Sequence, residues 1–176
     1  MKFFVSFVMC LLLLNGFTTA QNLILDSCKK ASARDAQLKL DFCVQSLESD
    51  PQSKAATTLE GLVIASAKSA ASKTISVKGT IQRILNDKKA SAGIEMILRD
   101  CVELYGDATD SINEALTSVP SGDYDTVKVN LSAALDAPAN CEDGFMEKRH
   151  QKSPFANEGN ICRLKILIPL AFTNML

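Results

Sequence analysis

The fold is decided by residues 94–145, which read IEMILRDCVELYGDATDSINEALTSVPSGDYDTVKVNLSAALDAPANCEDGF. The first half repeats apolar residues at three- and four-residue steps, the period of one buried helical face. These residues are Ile94, Ile97, Leu98, Cys101, Leu104, Tyr105, Ala108, Ile112, Ala115 and Leu116. Pro120 and Gly122 then interrupt the pattern. A second apolar run follows, made of Val127, Leu131, Ala134, Leu135 and Pro138. The stretch therefore predicts two helices joined by a short turn.

Two cysteines lie at matching distances from that turn. Cys101 is in the first helix, and Cys141 follows the last apolar residue of the second. Both arms are roughly 25 Å long at about 1.5 Å rise per residue, so an antiparallel pair returns the chain to the level of Cys101. The sulfurs then come within bonding reach, and we predict a disulfide. The alternative is two unrelated buried thiols.

The composition is typical of one helical domain. A chain of 176 residues with 47 % hydrophobic residues can bury an adequate core. Only 6 % of the residues are aromatic and none is Trp, while Ala, Leu and Ser are plentiful, which favours helices over sheets. The formal net charge of −1 offers no basic footprint for nucleic acid, so we expect no nucleic-acid partner.

The first 20 residues have the pattern of a secretory signal peptide. Lys2 is followed by an apolar run from Phe3 to Leu14, and small residues precede a cleavage point before Gln21. The run is too short for a comfortable membrane span, and no later apolar stretch reaches about 20 residues. We therefore expect a secreted product without a membrane anchor, with residues 21–176 as its single domain.

Cleavage would leave five cysteines, an odd number, in an oxidising compartment where disulfides form. If Cys101 pairs with Cys141, Cys28 and Cys43 pair most simply with each other. In the chain-entropy model the loop of about 15 residues contributes roughly 3 kcal/mol and the loop of about 40 residues roughly 4 kcal/mol. Cys162 is then the expected free thiol.

The other helical segments are less regular. Residues 22–47 predict a hairpin of two short helices, and the capping-box spacing of Thr57 and Glu60 predicts the start of a long helix that ends near Lys88 and Lys89. Ser153 and Pro154 suit the N-cap and first position of a last helix. Because Gly159 and Pro169 fall inside that helix, we expect it to be bent or broken near Pro169.

A frayed last helix has a consequence for Cys162. It would expose the thiol, and nearby Arg163 and Lys165 would favour the reactive thiolate. On this reasoning we expect a disulfide-linked dimer through Cys162. The alternative is that Ile161, Leu164 and Ile166 bury the thiol and leave it inert.

The sequence contains no recognisable catalytic constellation. Its one histidine, His150, lies in a polar run, and the cysteines lack zinc-type spacing, so we expect no catalytic residues, metal site or cofactor. Acid pairs such as Asp107 with Asp110 are typical of a solvated helix face. Asn130 begins the only Asn-x-Ser/Thr sequon and is a candidate glycosylation site in a predicted helix. These features favour a binding protein over an enzyme.

Three segments carry a family resemblance. Residues 41–51 read DFCVQSLESDP, residues 98–105 read LRDCVELY, and LSAALD at residues 131–136 is followed by CEDGF at residues 141–145. They resemble, in order, the cysteine-bearing segments of the plant invertase and pectin methylesterase inhibitor family. The likeness covers about the whole mature chain and extends to the pollen-allergen members of the plane-tree type.

The resemblance implies an all-α fold: a four-helix up-down bundle preceded by an N-terminal helical hairpin, with bridges from first to second and from third to fourth cysteine. It also implies a secreted inhibitor that plugs the substrate cleft of a plant acid invertase in the cell wall or vacuole. A pectin methylesterase is the alternative target. The third reading is a secreted helical-bundle pollen protein without an enzyme target.

One departure from the family pattern falls in the turn at residues 122–126. Some invertase inhibitors carry Pro-Lys-Phe after a Gly-Asp there, and that tripeptide enters the enzyme cleft. In this chain Gly122 and Asp123 are followed by Tyr124, Asp125 and Thr126. An acid in place of the base would meet the carboxylates of a glycosidase cleft unfavourably. We take these five residues as the candidate target-contact turn.

Overall fold

The computed structural model describes residues 22–89 and 91–176, and within these ranges all regular structure is helical. The signal segment expected at residues 1–20 lies outside them. The helices are α1 at 22–34, α2 at Leu40–Glu48, α3 at Pro51–Ala55, α4 at Leu59–Asn86, α5 at Glu95–Ser118, α6 at Tyr124–Arg149 and α7 at Ala156–Thr173. A single 3₁₀ turn, Val119–Ser121, joins α5 to α6.

The four long helices form a closed ring around one core. α5 packs against α4 and α6, and α7 closes the ring by packing against the same two helices. Short connections between consecutive helices make neighbours antiparallel, as in an up-down bundle. The interior holds the predicted apolar faces of α5 and α6, including Leu98, Ile112 and Leu131, all fully buried. This architecture confirms the all-α bundle preceded by a helical hairpin.

Two disulfides join the cysteines that the sequence pairs. Cys101 on α5 is bonded to Cys141 on α6, with 5.1 Å between their Cα atoms. Cys28 is bonded to Cys43, with 5.8 Å between their Cα atoms, and this bridge ties α1 to α2. All four cysteines are buried. The first bridge therefore lies inside the bundle wall and the second inside the hairpin.

The hairpin is docked on α4 and α7 partly through polar side chains. The ammonium of Lys165 on α7 donates to the Ser69 hydroxyl on α4 at 2.9 Å and to the Ser46 hydroxyl on α2 at 3.1 Å. Arg163 on α7 donates to the side-chain oxygen of Gln37 in the α1–α2 connection. α7 is thus the element to which the hairpin is attached.

The junction between hairpin and bundle contains a short helix that the sequence analysis missed. Asp50 is the N-cap of α3: its carboxylate accepts from the Ser53 backbone N–H at 2.8 Å and from the Ser53 hydroxyl at 2.6 Å. Pro51 occupies the first helical position. The combination of an Asp N-cap with Pro at the next position was the available signal.

The predicted cap of α4 was wrong by one residue. Thr58, rather than Thr57, is the N-cap, and its hydroxyl accepts from the Gly61 backbone N–H at 3.0 Å. Both threonines precede the first apolar residue, Leu59, so local spacing alone does not separate them. The helix ends at Asn86, two residues before the lysine pair that was expected to mark its end.

The last helix also differs from its prediction. Ser153 and Pro154 do not start α7; Phe155 is its N-cap without a side-chain cap, because the Ser153 backbone N–H and hydroxyl both donate to Glu142 on α6. Pro169 does not break the helix, which continues to Thr173. Ile168 and Phe172 are buried on either side of it, so packing outweighs the lost backbone hydrogen bond.

Candidate functional site

The candidate turn is a compact reversal at one end of the bundle. Val119 is buried and anchors its start, and the Gly122 backbone N–H donates to the Val119 carbonyl at 3.0 Å. Gly122 has a φ of +72°, a left-handed conformation that glycine adopts without steric cost. α6 then begins at once. The turn is therefore fixed by its backbone and by one buried side chain.

The structure assigns only part of the predicted contact segment to the turn itself. Tyr124, Asp125 and Thr126 form the first helical turn of α6, with Asp123 as the N-cap. The Asp123 carboxylate accepts from the Thr126 backbone N–H at 3.2 Å, and hydrogen bonding by Thr126 holds the pKa of that exposed carboxyl below its usual value. Asp123 is thus presented as a carboxylate at a helix start.

The exposed side chains of this end are mostly polar. Asp125 is 93 % exposed and forms an ion pair with Lys128 at 2.6 Å. Tyr124 is half-buried and packs against the core, so its ring is not free to enter a partner. A shallow depression of about 340 Å³ lies between the turn and the end of α7, where Asn174 and Leu176 line it. The end of α7 is therefore part of the same surface.

A row of acids on α5 extends from this end along the bundle. Glu103, Asp107, Asp110 and Glu114 recur at steps of three and four residues, which puts them on one helical face over roughly 16 Å, and all four are exposed. None of them forms an ion pair in the part of the chain that the structure describes. We call these four residues the acidic row.

The neighbouring helix α4 has the opposite charge. Its cations are Lys68, Lys73, Lys78 and Arg83, and its one acid is Glu60. The near-zero net charge of the whole chain therefore conceals an acidic α5 wall. The α4 cations are five residues apart and point to different sides of their helix, and the Lys78 ammonium lies beside Gly106 of α5. A partner that approaches the α5 wall meets a negative potential that total composition did not predict.

Cys162 is buried, as the alternative interpretation of the sequence predicted. The thiol is free and fully buried, and burial raises its pKa to about 12, although Lys73 and Lys165 partly oppose this shift. The expected disulfide-linked dimer through Cys162 is not supported, because α7 is unbroken and keeps the sulfur inside the bundle. A buried, protonated thiol is a poor nucleophile.

Asn130 lies on α6, half-buried, between the fully buried Leu131 and Val129, which is 69 % exposed. Its side chain therefore flanks the core face, as the helical spacing indicated. Glycosylation of Asn130 stays a prediction. Of the other candidates, His150 is exposed and ends α6 in a left-handed conformation with a φ of +54°.

Two features of other functional classes are absent from the described residues. Within residues 22–89 and 91–176, no three metal-ligating side chains gather into a group that could hold an ion. None of the helices in those ranges combines the length and apolar character needed to cross a bilayer. The features that remain for function are a turn, an acidic helix face and the surfaces between helices.

Comparisons with known proteins agree on one family. Residues 22–165 match the model described as plant invertase/pectin methylesterase inhibitor. The chain is 55 % identical over 176 residues, all of both chains, to "Pectinesterase inhibitor 12" of Arabidopsis thaliana. It is 38 % identical over 171 residues, 97 % of each chain, to the "Putative invertase inhibitor" of Platanus orientalis.

Solved structures agree with the sequence comparisons. The crystal structure of mutant form A of a pectin methylesterase inhibitor from Arabidopsis is similar to this chain with a TM-score of 0.67 and 25 % identity. The match covers 85 % of this chain and 93 % of that one. The crystal structure of a pectin methylesterase inhibitor from Arabidopsis thaliana is similar with a TM-score of 0.59 and 25 % identity, and the match covers 86 % of this chain and 97 % of that one.

Proposed function

The chain belongs to the plant invertase/pectin methylesterase inhibitor family, and we propose that it is a secreted protein inhibitor whose target is a plant pectin methylesterase. Family members are inhibitors of carbohydrate-active enzymes and not enzymes themselves. The observation that carries the choice of target is the full-length identity to an Arabidopsis pectinesterase inhibitor, which exceeds the identity to the plane-tree protein.

The charge of the exposed surfaces supports this target. Pectin is an acidic polymer, so an enzyme that holds it offers positive or hydrogen-bonding groups along its cleft. The acidic row on α5, together with Asp123 and Asp125, has the charge that complements such a surface. A glycosidase cleft instead contains a carboxylate pair, which would repel Asp125. Complementarity of this kind speeds association and rejects wrong partners.

Acid invertase is the second candidate. The resemblance seen in the sequence favoured acid invertase as the target. The plane-tree relative, which matches over 97 % of each chain, also supports this target. An invertase complex would have to seat the carboxylates of the turn away from the catalytic acids of the enzyme. Lys128, which pairs with Asp125, could supply a cation close to the position of the missing Pro-Lys-Phe lysine.

Purified mature protein should be added to each enzyme at mildly acidic pH, with release of methanol from pectin and hydrolysis of sucrose as readouts. We expect the pectin methylesterase to lose activity with a one-to-one stoichiometry and the invertase to keep it. The reverse result would establish the second candidate. Loss of neither activity would favour the third reading, a secreted pollen protein without an enzyme target.

Variants separate the acidic row from the turn. Charge reversal in Glu103→Lys with Asp107→Lys should weaken inhibition by at least about tenfold, chiefly through slower association, and the loss should shrink at high salt. Asp125→Lys applies the same change to the turn. The matched control is Asp26→Lys, an equally exposed acid on α1. Equal inhibition by parent and both acidic-surface variants would refute this surface as the contact.

Secretion and processing are part of the proposal. The mature protein should begin at Gln21, and it should be found in the cell wall space or, for an invertase target, also in the vacuole. Mass spectrometry of the protein from plant tissue tests the cleavage point. The same spectrum shows whether Asn130 carries a glycan, since glycosidase treatment then lowers the mass.

A further inference from the structure

A groove separates the C-terminal half of α6 from the N-terminal half of α7. Its volume is about 460 Å³, within the range of small-molecule sites. Pro138, Ala139 and Met146 line it on α6, and Ala156 and Gly159 line it on α7. Because these side chains are short or apolar, the two helices leave an apolar recess between them. The groove shares no lining residue with the depression at the turn.

A buried hydroxyl lies beside Gly159, one of the residues that line the groove. A Cβ atom on Gly159 would lie 3.0 Å from the Tyr105 hydroxyl and 3.9 Å from a carboxylate oxygen of Glu142. Tyr105 is 1 % exposed, and none of the hydrogen bonds of the described residues involves its hydroxyl. The absence of a side chain at Gly159 therefore leaves room for this hydroxyl beside α7.

The charges at the rim are positive and without acidic partners. Lys152 and Arg163 both line the groove, and neither forms an ion pair in the described ranges. Arg163 instead donates to the neutral side chain of Gln37. Glu142 is the one acid in the lining, and it already accepts hydrogen bonds from the backbone N–H and hydroxyl of Ser153. The groove therefore favours an anion.

We propose that this groove binds a small amphipathic organic anion, a molecule with a flat apolar body and one carboxylate or sulfonate group. The apolar body would lie against Ala139 and Ala156, and the anionic group would lie beside Lys152, at the end of the groove away from Arg163. The site is a second binding function that does not depend on the enzyme target.

A matched pair of fluorescent probes tests the proposal on the intact protein. Anilinonaphthalene sulfonate and phenyl-naphthylamine share one aromatic body, and the sulfonate group is present only in the first. We expect saturable binding of one sulfonate probe per protein, at least about tenfold tighter than binding of the neutral probe. Displacement by a hydroxycinnamate should follow, because it has the same combination of aromatic ring and anion. Equal affinity for both probes would overturn the preference for an anion.

Variants test the location. Ala139→Phe fills the recess from an exposed helical position and should weaken sulfonate binding at least about tenfold. Ala133→Phe adds the same ring at an exposed position of α6 outside the groove and should leave binding within about twofold. Lys152→Gln should weaken binding, whereas Lys68→Gln on α4 should not. Unchanged binding to Ala139→Phe, with circular dichroism like that of the parent, would refute this site.

Discussion

The two disulfide-bonded helix pairs of this molecule use the same covalent link in different circumstances. In the hairpin, Cys28–Cys43 joins two short helices, of which α2 has 9 residues. In the bundle, Cys101–Cys141 joins α5 and α6, which have 24 and 26 residues. Helices as short as α2 are marginal on their own, whereas the long pair has a continuous buried face. The hairpin therefore depends on its bridge and its docking, and the long pair on its core.

The contacts that dock the hairpin also differ from the contacts between the long helices. The hairpin is attached to α7 through Lys165 and Arg163, and Arg34 donates to the Asn174 carbonyl at 3.4 Å. Between α4 and α5 the contact is largely apolar, with one partly buried polar pair, Thr74 and Thr109, whose hydroxyls are 2.8 Å apart. A local opening of the hairpin should thus cost less free energy than separation of α5 from α6. The following variants test this difference.

The largest effect is expected from removal of the bundle bridge. Cys101→Ala with Cys141→Ala frees a loop of 40 residues in the unfolded chain, which should lower the free energy of unfolding by about 4 kcal/mol. Urea denaturation measures this change, and all spectroscopic probes should shift together because α5 and α6 belong to the core. A loss below about 1 kcal/mol would mean that native strain cancels the entropic gain.

A smaller and local effect is expected for the hairpin bridge. Cys28→Ala with Cys43→Ala frees a loop of 15 residues, worth about 3 kcal/mol in the same model. Hydrogen exchange should show faster exchange of the amides of α1 and α2, with the amides of α5 largely unchanged. Equal acceleration in both regions would show that hairpin and bundle unfold as one unit, and the comparison between them would fail.

The junction between the two regions offers a smaller test. Thr58→Ala removes the hydroxyl that caps α4 and should lower the free energy of unfolding by about 1 kcal/mol. Thr57→Ala, one residue earlier and also exposed, is the matched control and should change it by less than about 0.5 kcal/mol. Thermal denaturation of the two variants decides the assignment. A larger decrease in the free energy of unfolding for Thr57→Ala would instead identify Thr57 as the N-cap, as the capping-box spacing predicted.

The sequence predicted the parts of the fold that depend on periodic burial. The apolar faces of α5 and α6 recur over many turns, so neither the pair nor its disulfide required knowledge of the other helices. Local signals were less reliable where two neighbours had the same chemistry, as with Thr57 and Thr58. They also failed where a distant residue decided the outcome, since the Ser153 hydroxyl is used by Glu142 instead of a helix N-terminus.

The candidate site shows the same limit. The turn at Gly122 was predicted because glycine and proline mark reversals, but the candidate contact turn proved to include the first helical turn of α6, which begins at Tyr124. Of the acidic row, only the pair of Asp107 and Asp110 was noted in the sequence, and the continuity with Glu103 and Glu114 appears only on the helix. The groove between α6 and α7 could not be predicted, because it depends on how closely two helices approach. Composition cannot determine that distance.

The smallest effect is expected at Cys162, which belongs to neither pair. Burial raises the pKa of Cys162 from an ordinary 9.0 to about 12. The contribution of this protonated thiol to the free energy of unfolding is therefore fully present below pH 9.0, and it is lost as the pH rises toward about 12. Below pH 9.0 the native thiol should therefore react far more slowly with iodoacetamide than the denatured thiol does. Mass spectrometry after timed alkylation measures both rates.

On a non-reducing gel, parent and Cys162→Ala should both run as monomers. A dimer in the parent lane alone would mean that α7 opens often enough to expose the sulfur. It would also mean that the hairpin attached to α7 opens with it.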